Sequence, residues 1–227
     1  MEDSLNKLAK RINRKWNGID RSLYWGDRLD VRYYLCWKLK SIKNKRILDI
    51  GCGPGIVLSE LDNCNSKFGI DISERKINIA REVDKKGKFI VADISALPFK
   101  EQSFDIIILI TTLYLAKDKE GLIKRIHGLL KDKGIFFLTA LNRNHYYYRN
   151  NKSWLNFEET IDLTKKWFNC ESFIGFNPFP MFPFFFPNLI ADKIPLMWDI
   201  MLFMAKRKLF YSRSRGIFIK AIKKNFS

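Results

Sequence analysis

Histidine is nearly missing from this chain: His127 and His145 are the only two in 227 residues. Two imidazoles are too few for a His-rich metal centre, so no metal site is expected. The four cysteines, Cys36, Cys52, Cys64 and Cys170, are scattered and form no C-x-x-C pair. That argues against a disulfide frame or a zinc site and for reduced thiols in a cytoplasm. The first residues, MEDSLNKLAKR, lack the apolar core of a signal peptide. No low-complexity tract or internal repeat is present, and there is no G-x-x-x-x-G-K-[ST] phosphate loop. No apolar run reaches the roughly 20 residues of a membrane span without meeting proline.

What is present in excess is positive charge, +17 in all. Residues 1–46 carry 13 Lys and Arg against 5 acids, and residues 178–227 carry 9 against 2. Residues 47–177 are close to balance at 19 against 17. The two ends therefore supply a field that attracts RNA, anionic lipid or anionic substrate without choosing among them.

The length suits one well-buried α/β domain with additions. Leu5, Leu8 and Ile12 repeat at helical spacing among basic residues, which predicts a short amphipathic helix over 3–15. Trp16, Tyr24, Trp25, Tyr33, Tyr34 and Trp37 follow, and Asp30 to Leu39 reads as a second helix. These aromatics suit helix–sheet packing; a second reading places Tyr24 and Trp25 in a lid over cofactor or substrate. Beyond them, apolar runs alternate with helical patterns. Strands are expected at 47–50, 67–70, 88–92, 104–110, 135–140, 171–176 and 216–222, with helices at 56–61, 73–83, 119–130 and 154–168. That alternation calls for a mostly parallel sheet covered on both faces.

The most informative stretch is RILDIGCGPG, Arg46 to Gly55. A buried strand runs into a turn of three glycines, which allow positive φ and close backbone approach. Such a turn is expected to aim free N–H groups at a ligand. Twenty residues after Gly51, the second strand ends in Asp71, a carboxylate suited to ribose hydroxyls. The dinucleotide pattern G-x-G-x-x-G fails, because Ile56 stands where its third glycine belongs. Asp49, Gly51, Gly53 and Gly55 instead match the acid-x-G-x-G-x-G motif, and the chain resembles the class I S-adenosylmethionine-dependent methyltransferases.

The resemblance runs from about Lys45 to Ile222, with an interruption after Phe176. It implies a Rossmann-like, doubly wound, seven-stranded sheet, mostly parallel with an antiparallel last strand. N-terminal helices (1–44) would precede a methyltransferase domain (45–227), with an apolar or helical insertion (177–215) before the last strand. It also implies S-adenosyl-L-methionine as cofactor, held by Asp49, Gly51, Cys52, Gly53, Gly55, Asp71, Ile72, Asp93, Ile94 and Thr111. Asp93-Ile94 stands where the family reads the adenine edge. ALPFKEQSFD (96–105) resembles the family's approach to its central strand, and LLKDKG resembles its L-K-P-G-G turn with Asp132-Lys133 replacing Pro-Gly. The histidine that the family often carries after the fourth strand is here Leu115, which leaves any general base unidentified.

Methyl transfer from a sulfonium needs donor and nucleophile held in line, and a base only where the acceptor must first lose a proton. The candidates for that base are Tyr114 and His145; Asn142 and Arg143, with Tyr24 and Trp25, are substrate candidates. His145 equally suits a solvated loop residue, and His127 a structural one. Cys52 reads as a spacer between glycines and not as a nucleophile.

NPFPMFPFFFPNLI packs four prolines among five phenylalanines, then Ile194 to Ala205 is apolar apart from Asp199, and Lys206, Arg207 and Lys208 follow. Three readings stand: a cap over the active site, an interfacial anchor on anionic lipid, or a protein–protein surface. The expected function is a cytoplasmic methyltransferase, peripheral at the membrane in the anchor reading, that methylates a small or lipid-like acceptor at oxygen. Two alternatives remain. One is an RNA methyltransferase whose basic ends track phosphates, weakened by the absence of the N/D-P-P-Y and P-C signatures. The other is a non-catalytic cofactor-binding regulatory module. The oligomeric state is not encoded in any pattern found.

Overall fold

A computed structural model describes residues 29–144, 153–176 and 216–226. The helix expected over 3–15, Tyr24, Trp25, His145 and the insertion 177–215 lie outside the described residues. In chain order the elements are α1 (Leu29–Leu39), β1 (Arg46–Ile50), α2 (Ile56–Ser59), β2 (Ser66–Asp71), α3 (Glu74–Val83), β3 (Lys88–Val91) and β4 (Phe104–Ile110). A 3₁₀ turn (Leu113–Leu115), α4 (Lys119–Leu129), β5 (Leu130–Leu141), α5 (Phe157–Trp167), β6 (Phe168–Phe176) and β7 (Gly216–Lys223) follow.

The strands form one seven-stranded sheet in the order β3-β2-β1-β4-β5-β7-β6. β1 to β5 pair in parallel, and β7 runs antiparallel to both β5 and β6. The doubly wound sheet with its reversed last strand is therefore as expected. Chain order reverses between β1 and β4, which opens a crevice at their carboxyl ends.

Burial explains the apolar runs. On β4, Ile106, Ile108 and Ile110 face a core shared with Leu35, Cys36 and Leu39 of α1. Ile107 and Leu109 face a second core shared with Ile123 and Ile126 of α4 and Ile161 of α5. A strand buried on both faces has no polar positions to alternate with, and each such side chain contributes about 1.5–3 kcal/mol.

Helix starts follow their caps. Ser73 accepts from Lys76 N–H on α3, and Asp118 accepts from Gly121 N–H on α4. α5 begins at Phe157, three residues later than expected, because Asn156 and Glu159 form a reciprocal capping box. β5 and β6 begin earlier than expected, directly after α4 and α5. The KDKG turn persists as an irregularity inside β5: Phe104 pairs with Leu130, the next pair is Ile106 with Ile135, and Lys133 sits at φ 59°. His127 is structural, its Nε2 donating to the Lys224 carbonyl at 2.8 Å while its ring lies against Trp167, Phe168 and Phe226.

One ion pair lies inside. Lys67 on β2 and Asp84 after α3 meet at 2.7 Å with side chains 1% and 6% exposed. The ammonium meets that carboxylate oxygen off the hydrogen-bonding axis and donates to Asn63 Oδ1 at 3.1 Å. The other carboxylate oxygen caps the turn through Lys86 and Gly87 N–H. Removing one partner of a buried pair strands the other charge. Lys67→Met is expected to lower the unfolding free energy by about 3–5 kcal/mol, read from urea denaturation. A loss under about 1 kcal/mol would mean that the pair behaves as a surface contact.

Candidate cofactor and acceptor crevice

The glycine turn stands at the carboxyl end of β1, with Gly51, Gly53 and Gly55 at φ 73°, 56° and 78°. Gly51 is needed twice over. Its φ disfavours a side chain, and an added Cβ would lie 2.4 Å from Oγ1 of Thr112. Thr112 is buried and fixed by donating to the Ile110 carbonyl, so it buttresses the turn from β4. Gly53 differs: an added Cβ there would meet nothing within 4 Å. It borders the open crevice.

The turn does not aim free N–H groups at a ligand, and the sequence expectation is corrected here. Gly51 and Cys52 N–H both donate to the Ile70 carbonyl at 2.8 Å, and Gly55 N–H donates to the Cys52 carbonyl. Gly53 N–H donates to Asp71 Oδ2 at 3.0 Å, and Pro54 has no N–H to give. Every donor of the turn is satisfied within the fold. A phosphate cradle needs the opposite arrangement.

Asp71 ends β2 and is buried, one oxygen on Gly53 N–H and the other on Ser73 N–H at 2.9 Å. Each carboxylate oxygen keeps a further lone-pair direction for a hydroxyl donor. Ile72 beside it is 70% exposed, an apolar side chain at the mouth suited to the face of a purine. Ala92 N–H donates to the Asp71 carbonyl, which brings Asp93 and Ile94 alongside. Asp93 accepts from Ser95 N–H at 2.7 Å, and that bond holds its carboxyl below the ordinary range. Cys52 is a spacer, as expected. Burial pushes its thiol well above the usual range, so it is not a ready nucleophile.

Asp49 carries the strongest electrostatic signal. It is 2% exposed, and its Oδ1 has no hydrogen-bond partner among the described residues. Burial pushes its carboxyl up to about 7; the Arg32 guanidinium of α1 pulls it down and Asp71 pushes it further up. Arg32 and Thr112 were not singled out from sequence. The signal for Arg32 is its spacing, one turn before Leu35 and Cys36 on the sheet-facing stripe of α1.

The substrate candidates of the sequence that the structure describes lie at and beyond the ends of β4 and β5. Thr111 takes a left-handed φ of 46° and donates to the carbonyl and to Oγ1 of Thr139 at 2.9 Å. Tyr114 packs on Trp154 with ring centroids 5.2 Å apart, and Leu115 is 60% exposed. Asn142 is fully buried and accepts from Asn144 N–H. Arg143 pairs with Glu159 at 2.5 Å, and its N–H donates to the Leu155 carbonyl, so it ties the end of β5 to the cap of α5. A separate cavity of about 320 Å³ lies at the opposite edge of the sheet, lined by Lys43, Lys45, Asp105 and Lys133 among others. It shares no residue with the crevice, and the strand-order switch places the ligand at the carboxyl edge. Among the described residues no cluster of three potential metal ligands occurs.

The residues present fit S-adenosylmethionine. Asp71 would hold the ribose, Ile72, Asp93 and Ile94 the adenine, and Gly53 the passage of the tail. The buried charge of Asp49 sets a stability prediction. Because its folded-state pKa is raised from 3.8 to about 7, the folded chain holds a proton that the unfolded chain has released. Stability therefore falls as pH rises from about 4 to 7, by roughly 4 kcal/mol in all. Asp49→Asn is expected to match the native chain near pH 4 and exceed it in unfolding free energy at pH 8. A gap that does not change with pH would contradict it.

A profile described as a methyltransferase domain matches residues 41–173. A ubiquinone biosynthesis O-methyltransferase of Pelagibacter ubique is 35% identical over 155 residues, 61% of this chain and 64% of that protein. A sterol 4-C-methyltransferase of Caenorhabditis elegans is 28% identical, covering 52% of this chain and 38% of that protein. The mitochondrial arginine-hydroxylase NDUFAF5 of Mus musculus is 35% identical over 39% of this chain and 26% of that protein. The chain thus spans less than two thirds of each of these relatives. Among solved structures, the PH0226 protein of Pyrococcus horikoshii superposes with a TM-score of 0.64 at 16% identity, covering 92% of this chain and 99% of that one. An S-adenosylmethionine dependent methyltransferase of Mesorhizobium loti gives 0.60 at 17% identity, covering 84% and 96%. Those likenesses carry the fold, the profile carries the family, and on that ground the chain belongs to the class I S-adenosylmethionine-dependent methyltransferases.

Proposed function

We propose that this protein transfers a methyl group from S-adenosylmethionine to an oxygen of a small or lipid-like acceptor. One observation carries the cofactor half of that reading. A glycine turn with no N–H left for phosphate, beside a ribose-reading carboxylate, suits a nucleoside whose tail carries no phosphate. The cofactor supplies the activated methyl group and its leaving group. The chain's own part is to grip the sugar through Asp71, pass the tail over Gly53 and leave an acceptor wall at Tyr114, Leu115 and Trp154.

The acceptor half rests on different support. Leu115 is an exposed apolar side chain at the end of β4, and Tyr114 and Trp154 stack beside it, a surface suited to an apolar ring or chain. Two relatives are named for acting on sterols or in ubiquinone biosynthesis. The insertion is rooted at the same edge of the sheet, because Phe176 pairs with Gly216 at the carboxyl end of β6. Its composition of phenylalanine, proline and trailing basic residues favours lipid contact from the cytoplasmic side. Among the described residues no helix is long and apolar enough to cross a membrane.

The relative named as a hydroxylase sets the control for the test. Incubated with S-adenosylmethionine and separate lipid and RNA extracts, the protein is expected to release S-adenosylhomocysteine. A lipid-phase product heavier by about 14 Da, one CH₂, should accompany it. A gain of about 16 Da instead, one oxygen, would move the chemistry to hydroxylation. Methylated RNA would move the acceptor to nucleic acid. Cofactor binding without turnover on either extract would leave the regulatory module. Gly53→Arg is expected to abolish cofactor binding by calorimetry while circular dichroism stays native, because its side chain enters open space and the strain of a side chain at φ 56° stays local to the turn. Unchanged affinity would refute the crevice assignment.

A further inference from the structure

The cavity at the amino edge of the sheet plays no part in the carboxyl-edge crevice, and its lining suits a ligand of its own. At about 320 Å³ it falls at the small end of the range for ligand sites. Its floor is apolar: Ile106 of β4 and Ile135 of β5 are register partners, and Ile42 joins them from the link that enters β1. Its rim is cationic, with exposed Lys43 and Lys45 from that link and exposed Lys133 from the irregularity in β5.

Both walls are fixed by bonds within the fold. Buried Asn65 donates its amide to the Ile42 carbonyl at 2.7 Å and accepts Lys45 N–H at 3.0 Å, which holds residues 42–45 in place. Across β4, Lys223 donates to the Leu130 carbonyl at 2.7 Å, and Lys131 donates to both Asp105 oxygens at 3.1 Å. Asn44 and Lys133 take left-handed φ of 57° and 59° on the two sides. Asparagine adopts that conformation readily, whereas a lysine is strained there and a glycine would not be. Strain that persists in a fixed turn points to a use for the side chain it carries.

The charges of the cavity do not cancel. Asp105 is matched by Lys131 and by Arg46 N–H at 2.8 Å. Asp132 lies 3.8 Å from Lys223, and Lys43 lies 3.7 Å from Asp62. Lys45 acts on Asp105 only from beyond ion-pair distance. Among the described residues, Lys45 and Lys133 are thus the two lining ammoniums with no carboxylate within 4 Å. Two such charges above an apolar floor suit a dianion on an apolar body. A phosphate monoester carries about −1.5 to −2 near neutral pH. Lysine meets phosphate as a point charge, without the fork that favours arginine for carboxylates.

We infer that the amino-edge cavity is a binding site for a small phosphate monoester, its phosphate held by Lys45 and Lys133 and its apolar body laid on Ile42, Ile106 and Ile135. The site shares no residue with the cofactor crevice and stands whether or not that reading holds.

Calorimetry on the full chain in phosphate-free buffer, with phenyl phosphate as probe, tests it. Lys45→Gln and Lys133→Gly are each expected to weaken binding roughly tenfold, while Lys165→Gln, the loss of an exposed lysine on α5, leaves it unchanged. Lys133→Gly should also melt no lower than the native chain, since glycine relieves the strained φ. Because the second phosphate ionisation lies at about 6, affinity should rise from about pH 5 to pH 7.5. Vesicles of phosphatidic acid separate the two sources of a monoester. Retention of the native chain that both cavity variants lose would assign the site to a lipid headgroup, and phenyl phosphate binding without retention would assign it to a soluble ligand. No binding of phenyl phosphate or of the vesicles would overturn the inference. So would an equal loss in Lys165→Gln, which would make the attraction one of overall charge. Inorganic phosphate bound as tightly as phenyl phosphate would remove the apolar body from the site, and displacement of phenyl phosphate by a single-stranded RNA lacking terminal phosphates would move the cavity to nucleic acid; either result overturns the assignment.

Discussion

The bond between Gly53 N–H and the Asp71 carboxylate, 3.0 Å long, is the constraint on which the crevice depends. It joins the turn after β1 to the end of β2 and fixes how far apart they stand. The same carboxylate takes Ser73 N–H with its second oxygen, so one side chain sets the turn, its own orientation and the start of α3. Gly51 can then approach Thr112 as closely as it does only because it has no Cβ. A charged acceptor held by two backbone donors is pre-organised, and a hydroxyl arriving at its remaining lone pairs need not reorder it.

That economy of donors shapes the electrostatics of the rest of the site. In phosphate-binding turns the backbone supplies positive potential to the ligand. Here the backbone is neutralised by the fold, and the strong fields come from side chains on the face beneath α1. Asp49 is the clearest case, since burial makes its ionised form unfavourable while it awaits a positive partner. Stability is given up at a buried position in the crevice, a pattern common where function and folding compete for one residue. The buried Lys67–Asp84 pair is the opposite case. Its charges have each other and Asn63, and they fasten β2 to the end of α3 independently of any ligand.

Much of this was legible in the sequence because the responsible signals are local. The apolar run Phe104 to Ile110 read as a strand in the middle of the sheet, which it is, and the strand–turn–helix–strand–acid order pointed to the carboxyl edge of β1 and β2. The N-x-x-E of Asn156 and Glu159 was equally visible as a capping box, yet a periodic pattern that reached back to Trp154 obscured it. What could not be read locally was the destination of hydrogen bonds. Glycine spacing says that backbone approaches something; it does not say that Ile70 and Asp71 take the donors first. Likewise Arg143 looked like a substrate contact on a loop, and only the fold brings Glu159 against it. Arg32 was hidden among thirteen basic residues of the first 46, where charge count masks the one arginine on the buried stripe.

The topology also accounts for where this chain can vary without disturbing its cofactor crevice. β6 and β7 form an antiparallel pair whose ends, Phe176 and Gly216, are register partners, and Gly216 is also opposite Leu141 at the exit of β5. An insertion at that point leaves and re-enters the sheet at adjacent positions, so its length is nearly decoupled from the register of the strands. The closure cost of such a loop grows only by about 0.6 kcal/mol for each doubling in length. Because β6 is parallel to β1 through β5, the root falls at the carboxyl edge of the sheet, and not beside the amino-edge cavity. Residues 177–215 can therefore vary in sequence while the register around Asp71, Gly53 and Asp49 remains as it is.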